Sequence, residues 1–363
     1  MDANSMGGDV ARPFFSILLP TRNRSEIVGG SVQSVVSQSE PDWELVVSDN
    51  DESPELTRDV VSAFRDPRIR YLRTSGQLSM HDNWENALKN ARGAWILVLE
   101  DKQRLAPKAL AFLRSACAAN PDSIVSYPFV IASREDLESP RSVPRQRRFR
   151  CEAVVEEFCR FSPLYWDIFP RALTSCAPKH LFDRARELSR TGMVFSFITP
   201  DYASGFQLLN LAKDLVHLRE PVIVVPPSVH RSKKTYSNGQ ASMTKQKSYD
   251  RFMASIPIPT EVILEGCGIP SIYLWPNLVI HDFRRHYRRA GHSPSVHGPG
   301  YLAQCFGILL QARIWGTDVS PEIAGAWKLM RAGGPVFMVH ALVLFSWRTA
   351  RSVSLKFLNR LRS

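Results

Sequence analysis

Short apolar runs alternate with amphipathic stretches through the first hundred or so residues. Phe14 to Leu19 (FFSILL) is apolar and ends at Pro20, the pattern of a buried strand. From Ser25 to Gln38, Ile27, Val28, Ser31, Val32, Val35 and Val36 recur at helical spacing. Trp43 to Val47 (WELVV) predicts a second buried strand. Ser53-Pro54-Glu55 then predicts an N-cap with proline in the first helical position, and Leu56, Val60, Val61 and Phe64 face inward from the helix that follows. Ile69 to Leu72 predicts a third strand. Asp82 to Arg92 predicts a helix with Trp84, Ala87, Leu88 and Ala91 on one face, closed by Gly93 as a C′ glycine. Trp95 to Leu99 (WILVL) predicts a fourth strand. Another helix starts near Pro107, carrying Leu110, Leu113 and Ala116. Apolar strands alternating with amphipathic helices build an α/β domain whose mostly parallel sheet is covered on both faces.

Such sheets bind ligands beyond the carboxyl ends of their strands. Three segments stand there: Pro20-Thr21-Arg22-Asn23, Ser48-Asp49-Asn50-Asp51 and Glu100-Asp101-Lys102. The chain has neither GxGxxG nor GxxxxGK[ST], so a ligand here meets carboxylates and a proline-ended turn rather than a glycine cradle.

Together these segments resemble the family 2 glycosyltransferases of GT-A fold. The resemblance runs from about Phe14 to Leu113 and more weakly to about Asn238. It rests on the strand-Pro-Thr-x-Asn turn, the Asp after the second strand, the Asn83-Trp84-x-x-Ala-Leu helix with its Ala-Arg-Gly end, and the acidic end of the fourth strand. It implies a Rossmann-like sheet and inverting transfer from a nucleotide-sugar. It also implies that Pro20, Thr21, Arg22 and Asn23 border the nucleotide, that Asp49 accepts hydrogen bonds from base or ribose, and that the Asn83 helix packs beside it. Trp84 lies on the apolar stripe and reads as core.

Glu100 and Asp101 match the position where the family holds a divalent metal, Mg²⁺ or Mn²⁺, on the diphosphate. The family's Asp-x-Asp reads Asp101-Lys102-Gln103 here, so the second acid is missing. Either Glu100 and Asp101 hold a metal, or Lys102 supplies positive charge itself, or the site is inactive. The resemblance implies a catalytic base at the start of a later helix, and Asp201 in Thr199-Pro200-Asp201-Tyr202 fits that place; the alternative is that Asp201 only caps the helix. Asp167, in Tyr165-Trp166-Asp167, is the weaker candidate, and its aromatic neighbours suit an acceptor sugar. The polar stretch His230 to Gly239 predicts a loop. By resemblance it closes on the diphosphate, with Arg231, Lys233 and Lys234 contacting phosphate and His230 offered to the metal.

The 363 residues are 44% hydrophobic, enough for a sizeable core, and the length suits two domains or one large domain with an appendage. We divide the chain into a flexible N-terminus (1–13), a GT-A domain (14–250) and a basic, mainly helical C-terminal region (251–363). Six cysteines are scattered without a CxxC pair, as expected of a reducing compartment. No leader or membrane span is read, which predicts a cytoplasmic protein.

The net charge is +11, and the last third, with 13 Lys/Arg against 5 Asp/Glu, carries +8 of it. A second basic knot runs from Arg141 to Arg150, either a closing element or a solvated excursion. His281 to Arg289 and Tyr301 to Trp315 are helix candidates. From Val336 to Leu361, apolar residues give way to Arg348, Arg351, Lys356, Arg360 and Arg362, a pattern suited to an anionic membrane face. Packing on the catalytic domain or a homodimer contact are its other uses. No nucleic-acid-binding motif is present. The expected partners are therefore a nucleotide-sugar and a glycan or lipid-linked acceptor in bacterial surface polysaccharide synthesis. The alternatives are a non-catalytic sugar-nucleotide-binding partner subunit and a nucleotidyltransferase, which would want a glycine-rich first loop.

Overall fold

A computed structural model of the chain describes residues 12–53, 55–132, 145–196, 198–227, 256–314 and 317–346. Its centre is an eight-stranded sheet. In chain order the strands are β1 (Phe15–Thr21), β2 (Trp43–Asp49), β3 (Ile69–Arg73), β4 (Trp95–Val98), β5 (Arg104–Leu105), β6 (Ile124–Ser126), β7 (Phe129–Ile131), β8 (Gln146–Arg150), β9 (Ser175–Pro178), β10 (Asp214–Leu218) and β11 (Ile223–Val225). The large sheet has the order β3-β2-β1-β4-β9-β6-β10-β8, and β5-β11-β7 form a second, small sheet. β3, β2, β1 and β4 pair in parallel, β9 runs against β4 and β6, and β8 runs against β10. The mostly parallel, helix-covered sheet expected from the alternating pattern is the one that forms.

Helices α1 (Ser25–Val36), α2 (Leu56–Ser62), α3 (Met80–Lys89), α4 (Ala109–Ala118), α5 (Cys151–Cys159), α6 (Tyr165–Ile168), α7 (Lys179–Leu188) and α8 (Pro200–Leu211) accompany the strands. Because β1 and β2 are buried on both faces, their apolar residues divide by alternation. Phe15, Ile17 and Leu19 join Val28 and Val32 of α1 in one core. Leu18 and Val46 face the opposite core with Trp84, Phe158 and Phe206, so Trp84 is core, as its stripe position predicts.

The C-terminal region is helical, with segments Thr260–Leu264, Trp275–His286, Pro299–Ile314 and Ser320–Ala332, followed by helical residues 334–346. Phe283, Tyr287, Tyr301 and Leu309 belong to the same apolar cluster as Phe158 and Phe206 of the sheet domain. Gly300 allows this approach: a Cβ there would lie 2.3 Å from the Arg160 carbonyl oxygen.

Three local expectations give way. The second helix begins at Leu56 with Glu55 as its N-cap, so Ser53 does not cap it, and Pro54 lies outside the described residues. The third starts two residues early, because Ser79 caps it: its hydroxyl accepts from the Asp82 N–H at 3.2 Å and donates to the Asp82 carboxylate at 2.7 Å. It ends at Asn90, so Gly93 is no C′ residue. Gly93 instead lets β1 approach, since a Cβ would stand 2.5 Å from the Ser16 backbone nitrogen. Of the basic knot, residues 145–150 are described, and Gln146–Arg150 form the edge strand β8, whose Arg148 and Arg150 pair with Asp214 of β10 at 3.3 and 3.2 Å. Charge on an edge strand discourages further strand pairing. Arg141, the N-terminal residues 1–11, and the basic residues from Arg348 onward lie outside the described residues.

Candidate active site

The ends of β1, β2 and β4 open on one side, because these strands are parallel and in register. Thr21 stands beside Asp49, and Asp49 beside Arg73. Leu99 continues β4 past Leu18, donating its N–H to the Leu18 carbonyl at 2.8 Å, and so delivers Glu100 and Asp101 to the same mouth.

Asp101 is buried. Its carboxylate accepts from the Thr21 hydroxyl at 3.0 Å and pairs with the buried Arg24 guanidinium at 3.3 Å. Burial pushes the carboxyl up to about 6. Arg24 opposes that rise and Glu100 adds to it. Glu100 pairs with Lys102 at 3.2 Å. The turn holding these groups is fastened to α1. Arg104 donates to the Ile27 carbonyl at 3.0 Å and to the Ser31 hydroxyl at 2.7 Å, and burial lowers its guanidinium to about 10.

Asp49 is wholly buried and already engaged. Tyr71 donates its hydroxyl to the carboxylate, Arg73 pairs with it at 3.2 Å, and the Asp51 N–H donates at 2.9 Å. Burial raises the Tyr71 phenol, and its bond to Asp49 adds to the rise. Asn23 takes a left-handed backbone (φ 54°), which asparagine tolerates. Its N–H donates to Asp51 and its side-chain oxygen accepts from the Glu52 N–H at 2.9 Å, so the two turns are stitched together. Burial raises the Asp51 carboxyl, opposed by hydrogen bonds from Thr57 and Asn23. Pro20 completes β1. Arg22 is the open cation of this rim, near Glu52 at 3.5 Å and Gln77 at 3.4 Å.

Asn83 is a brace. Its side chain accepts from the Ser48 hydroxyl at 2.6 Å and donates to the Thr21 carbonyl at 3.2 Å, locking β1 to β2. Asn50 builds the outer wall: it accepts from the Leu78 N–H and donates to the Leu78 carbonyl, both at 2.8 Å.

Asp201 stands in the first turn of α8. Burial raises its carboxyl; Arg171 pulls it down, Glu100 pushes it up, and the backbone N–H groups of Tyr202 and Asp201 itself favour the ionised form. Asp201 therefore shares a field with the acidic end of β4, and part of its hydrogen bonding is the capping kind. Gly205 brings α8 close to the 169–171 segment that supplies Arg171, for a Cβ there would lie 2.6 Å from the Pro170 carbonyl oxygen. Burial lowers the His217 imidazole and the Asp167 charge opposes that fall; His217 lies 3.0 Å from the Ser126 hydroxyl. Tyr165 is core, and Trp166 packs on Trp275 with ring centroids 4.7 Å apart.

Among the described residues the donor set does not fit a divalent ion. Asp101 turns to Arg24 and Thr21, Glu100 to Lys102, and among the described residues no three His, Cys, Asp or Glu side chains converge as metal ligands. His230, Arg231, Lys233 and Lys234 lie outside the described residues. A separate cleft beyond the far end of α8, lined by Leu188, Gln207, Asn210, His286, Arg288 and Arg289, contains none of the mouth residues.

Reading the sequence alone overlooks Arg24, Arg73 and Arg171. Arg24 follows the singled-out turn directly. Arg73 closes β3, to which the same strand-end rule applies. Arg171 has no local pattern to announce it.

Residues 16–171 match the family model "Glycosyl transferase family 2". A putative colanic acid biosynthesis glycosyl transferase, WcaA of Escherichia coli K12, is 28% identical over 141 residues, 36% of this chain and 48% of that protein. A GalNAc(5)-diNAcBac-PP-undecaprenol β-1,3-glucosyltransferase of Campylobacter jejuni is 33% identical over 104 residues, 28% of this chain and 33% of that protein. The chain thus spans half or less of the length of these curated relatives. Among solved structures, residues 1–349 of S. aureus TarS in complex with UDP-GlcNAc superpose with a TM-score of 0.47 at 13% identity, covering 82% of this chain and 81% of that one. The match lies on the segment that builds β1 to β4 and the acidic mouth: over residues 16–171 the chain is similar to glycosyl transferase family 2.

Proposed function

We propose that the chain is an inverting glycosyltransferase that moves a sugar from a nucleotide-sugar to a hydroxyl of a glycan or lipid-linked acceptor in bacterial surface polysaccharide synthesis. One observation carries this reading: the parallel strands β1, β2 and β4 end together at Thr21, Asp49 and the Glu100–Asp101 turn, and the Asp201 carboxyl, raised mainly by burial, feels the Glu100 charge. The acceptor hydroxyl attacks the anomeric carbon, its proton passes to the Asp201 carboxylate, and the bond to the nucleoside diphosphate breaks with its electron pair leaving on phosphate oxygen. Once ionised, a carboxyl raised by burial accepts a proton more readily than an exposed one. The names of the E. coli and C. jejuni relatives support the polysaccharide and lipid-linked contexts.

Departure of a diphosphate builds negative charge. In GT-A relatives a divalent metal commonly meets it; here we assign that role to cations of the chain, Lys102 and Arg22 at the rim. The test is donor hydrolysis across UDP-, GDP-, dTDP- and CMP-sugars, with excess EDTA or with Mn²⁺. One donor should be hydrolysed, at a rate EDTA changes less than about threefold. Strict Mn²⁺ dependence would overturn the cationic clamp. Donor binding without turnover in every condition would favour the partner-subunit reading.

We also propose peripheral attachment to an anionic membrane on the cytoplasmic side. No helix among the described residues is long and apolar enough to cross a membrane. Yet Val336, Val339, Leu342 and Val343 are exposed on helical residues 334–346, while Phe337 and Ala341 pack inward. Lys328 and Arg331 lie just before them, and five basic residues follow in the sequence. Apolar face and basic flank together suit an anionic interface. Co-sedimentation with phosphatidylglycerol vesicles should exceed that with phosphatidylcholine vesicles several-fold, and the Val339→Glu/Val343→Glu variant should lose it. Equal recovery of the variant would contradict the proposal.

A further inference from the structure

Asp282 is fully buried in the C-terminal helix Trp275–His286, the one acid in the basic stretch from His281 to Arg289. Its carboxylate does not turn to those arginines. It accepts from the Ile198 N–H at 2.8 Å, the Thr199 N–H at 2.7 Å and the Thr199 hydroxyl at 2.6 Å. Thr199 is the N-cap residue of α8, and Asp201 follows two residues later. Thr199 makes no side-chain cap bond to its own helix, its hydroxyl being given to Asp282.

The same C-terminal helix grips α8 along its length. Trp275 packs on Tyr202 at 6.0 Å between ring centroids, and Phe283 on Phe206 at 5.3 Å. At the far end Asn210 donates to the His286 carbonyl at 2.8 Å. Aromatic packing alone would tolerate a small slide of α8. Three directed bonds to one carboxylate fix where its first turn begins.

We propose that Asp282 is a positioning residue: from the C-terminal region it sets the start of α8 and so places Asp201 at the mouth. This rests on the reading of Asp201 as the base. It gives the C-terminal region a role in the transfer step beyond any membrane contact.

The folded site holds the Asp282 proton up to about 7, burial being the main cause and the hydrogen bonds from Thr199 and Ile198 opposing it, with Asp201 nearby adding to the rise.

The experiment compares the full-length wild type with Asp282→Ala, Asp282→Asn and Asp201→Asn. It reads kcat for hydrolysis of the donor selected in the nucleotide-sugar screen, the Kd of the matching nucleoside diphosphate, and thermal unfolding. Asp282→Ala should lower kcat by tenfold or more and leave Kd within about twofold. Asp282→Asn keeps an acceptor oxygen for Thr199 but loses the second one, and should retain between a third and a half of the wild-type kcat. If Asp282→Ala does not fold, Asp282→Asn decides: kcat lowered by a factor of two to three with Kd unchanged supports positioning, and wild-type kcat overturns it. A fall in kcat matched by an equal loss of nucleotide affinity also overturns it, since that marks a general structural role. The underlying reading fails separately: if Asp201→Asn hydrolyses donor normally, Asp201 is not the base, whereas loss in Asp201→Asn with wild-type kcat in both Asp282 variants refutes positioning alone.

Discussion

Asp201→Asn is expected to slow glycosyl transfer by about a thousandfold, the middle of the range for general-base catalysis, while nucleotide affinity stays within about twofold. Asparagine keeps the shape and can still meet the N–H groups of the first turn of α8, so the helix should stand. What is lost is the ability to take the acceptor's proton. The wild-type rate carries a second signature. Burial and Glu100 hold the Asp201 carboxyl above its ordinary value of 3.8, with Arg171 opposing. Only the ionised form is a base, so the rate should fall as the pH drops through that raised value, and the acid limb should be absent from the residual activity of the variant. Initial rates across pH, with nucleotide binding measured alongside, check both. A variant with more than a tenth of the wild-type rate would mean the proton goes elsewhere.

Asp49→Asn is expected to weaken nucleotide binding by about thirtyfold or more, equivalent to roughly 2 kcal/mol. The carboxylate ends β2 under Tyr71 and Arg73 and receives the Asp51 N–H. A nucleotide entering beside Thr21 must either exchange with those partners or bind against them. An amide serves neither arrangement, because it cannot accept on both sides and carries no charge for Arg73. Tyr71→Phe removes one bond and leaves the ion pair, so it should change affinity less than about threefold. Calorimetric titration with the preferred nucleoside diphosphate separates the two variants. Undiminished binding by a folded Asp49→Asn protein would remove Asp49 from the donor site.

The fold was legible because its strands are buried on both faces and its helices show a single apolar stripe; neither pattern needs distant information. The mouth was legible for the same reason, since a rule about strand ends needs only the order of strands. What escaped depends on pairings far apart in the chain. Arg24 and Asp101 are 77 residues apart, and Asp282 serves the N–H of a residue 83 positions earlier. β8 hid because five residues rich in arginine look like solvated loop until Asp214 of the neighbouring strand is placed beside them. The resemblance puts the Asn83 helix beside the nucleotide; that the Asn83 side chain itself turns to Ser48 and Thr21 is a distinction that only the packing of α3 on β1 and β2 makes.

We propose that a nucleotide-sugar sits at the ends of β1, β2 and β4 with its anomeric carbon facing Asp201. Crystals soaked with the nucleoside diphosphate that gives the largest thermal shift test it most directly. Density is expected with the base beside Asp49 and the diphosphate over the Glu100–Lys102 turn. Density confined to the cleft of Gln207, Asn210, Arg288 and Arg289, with the mouth empty, would contradict it.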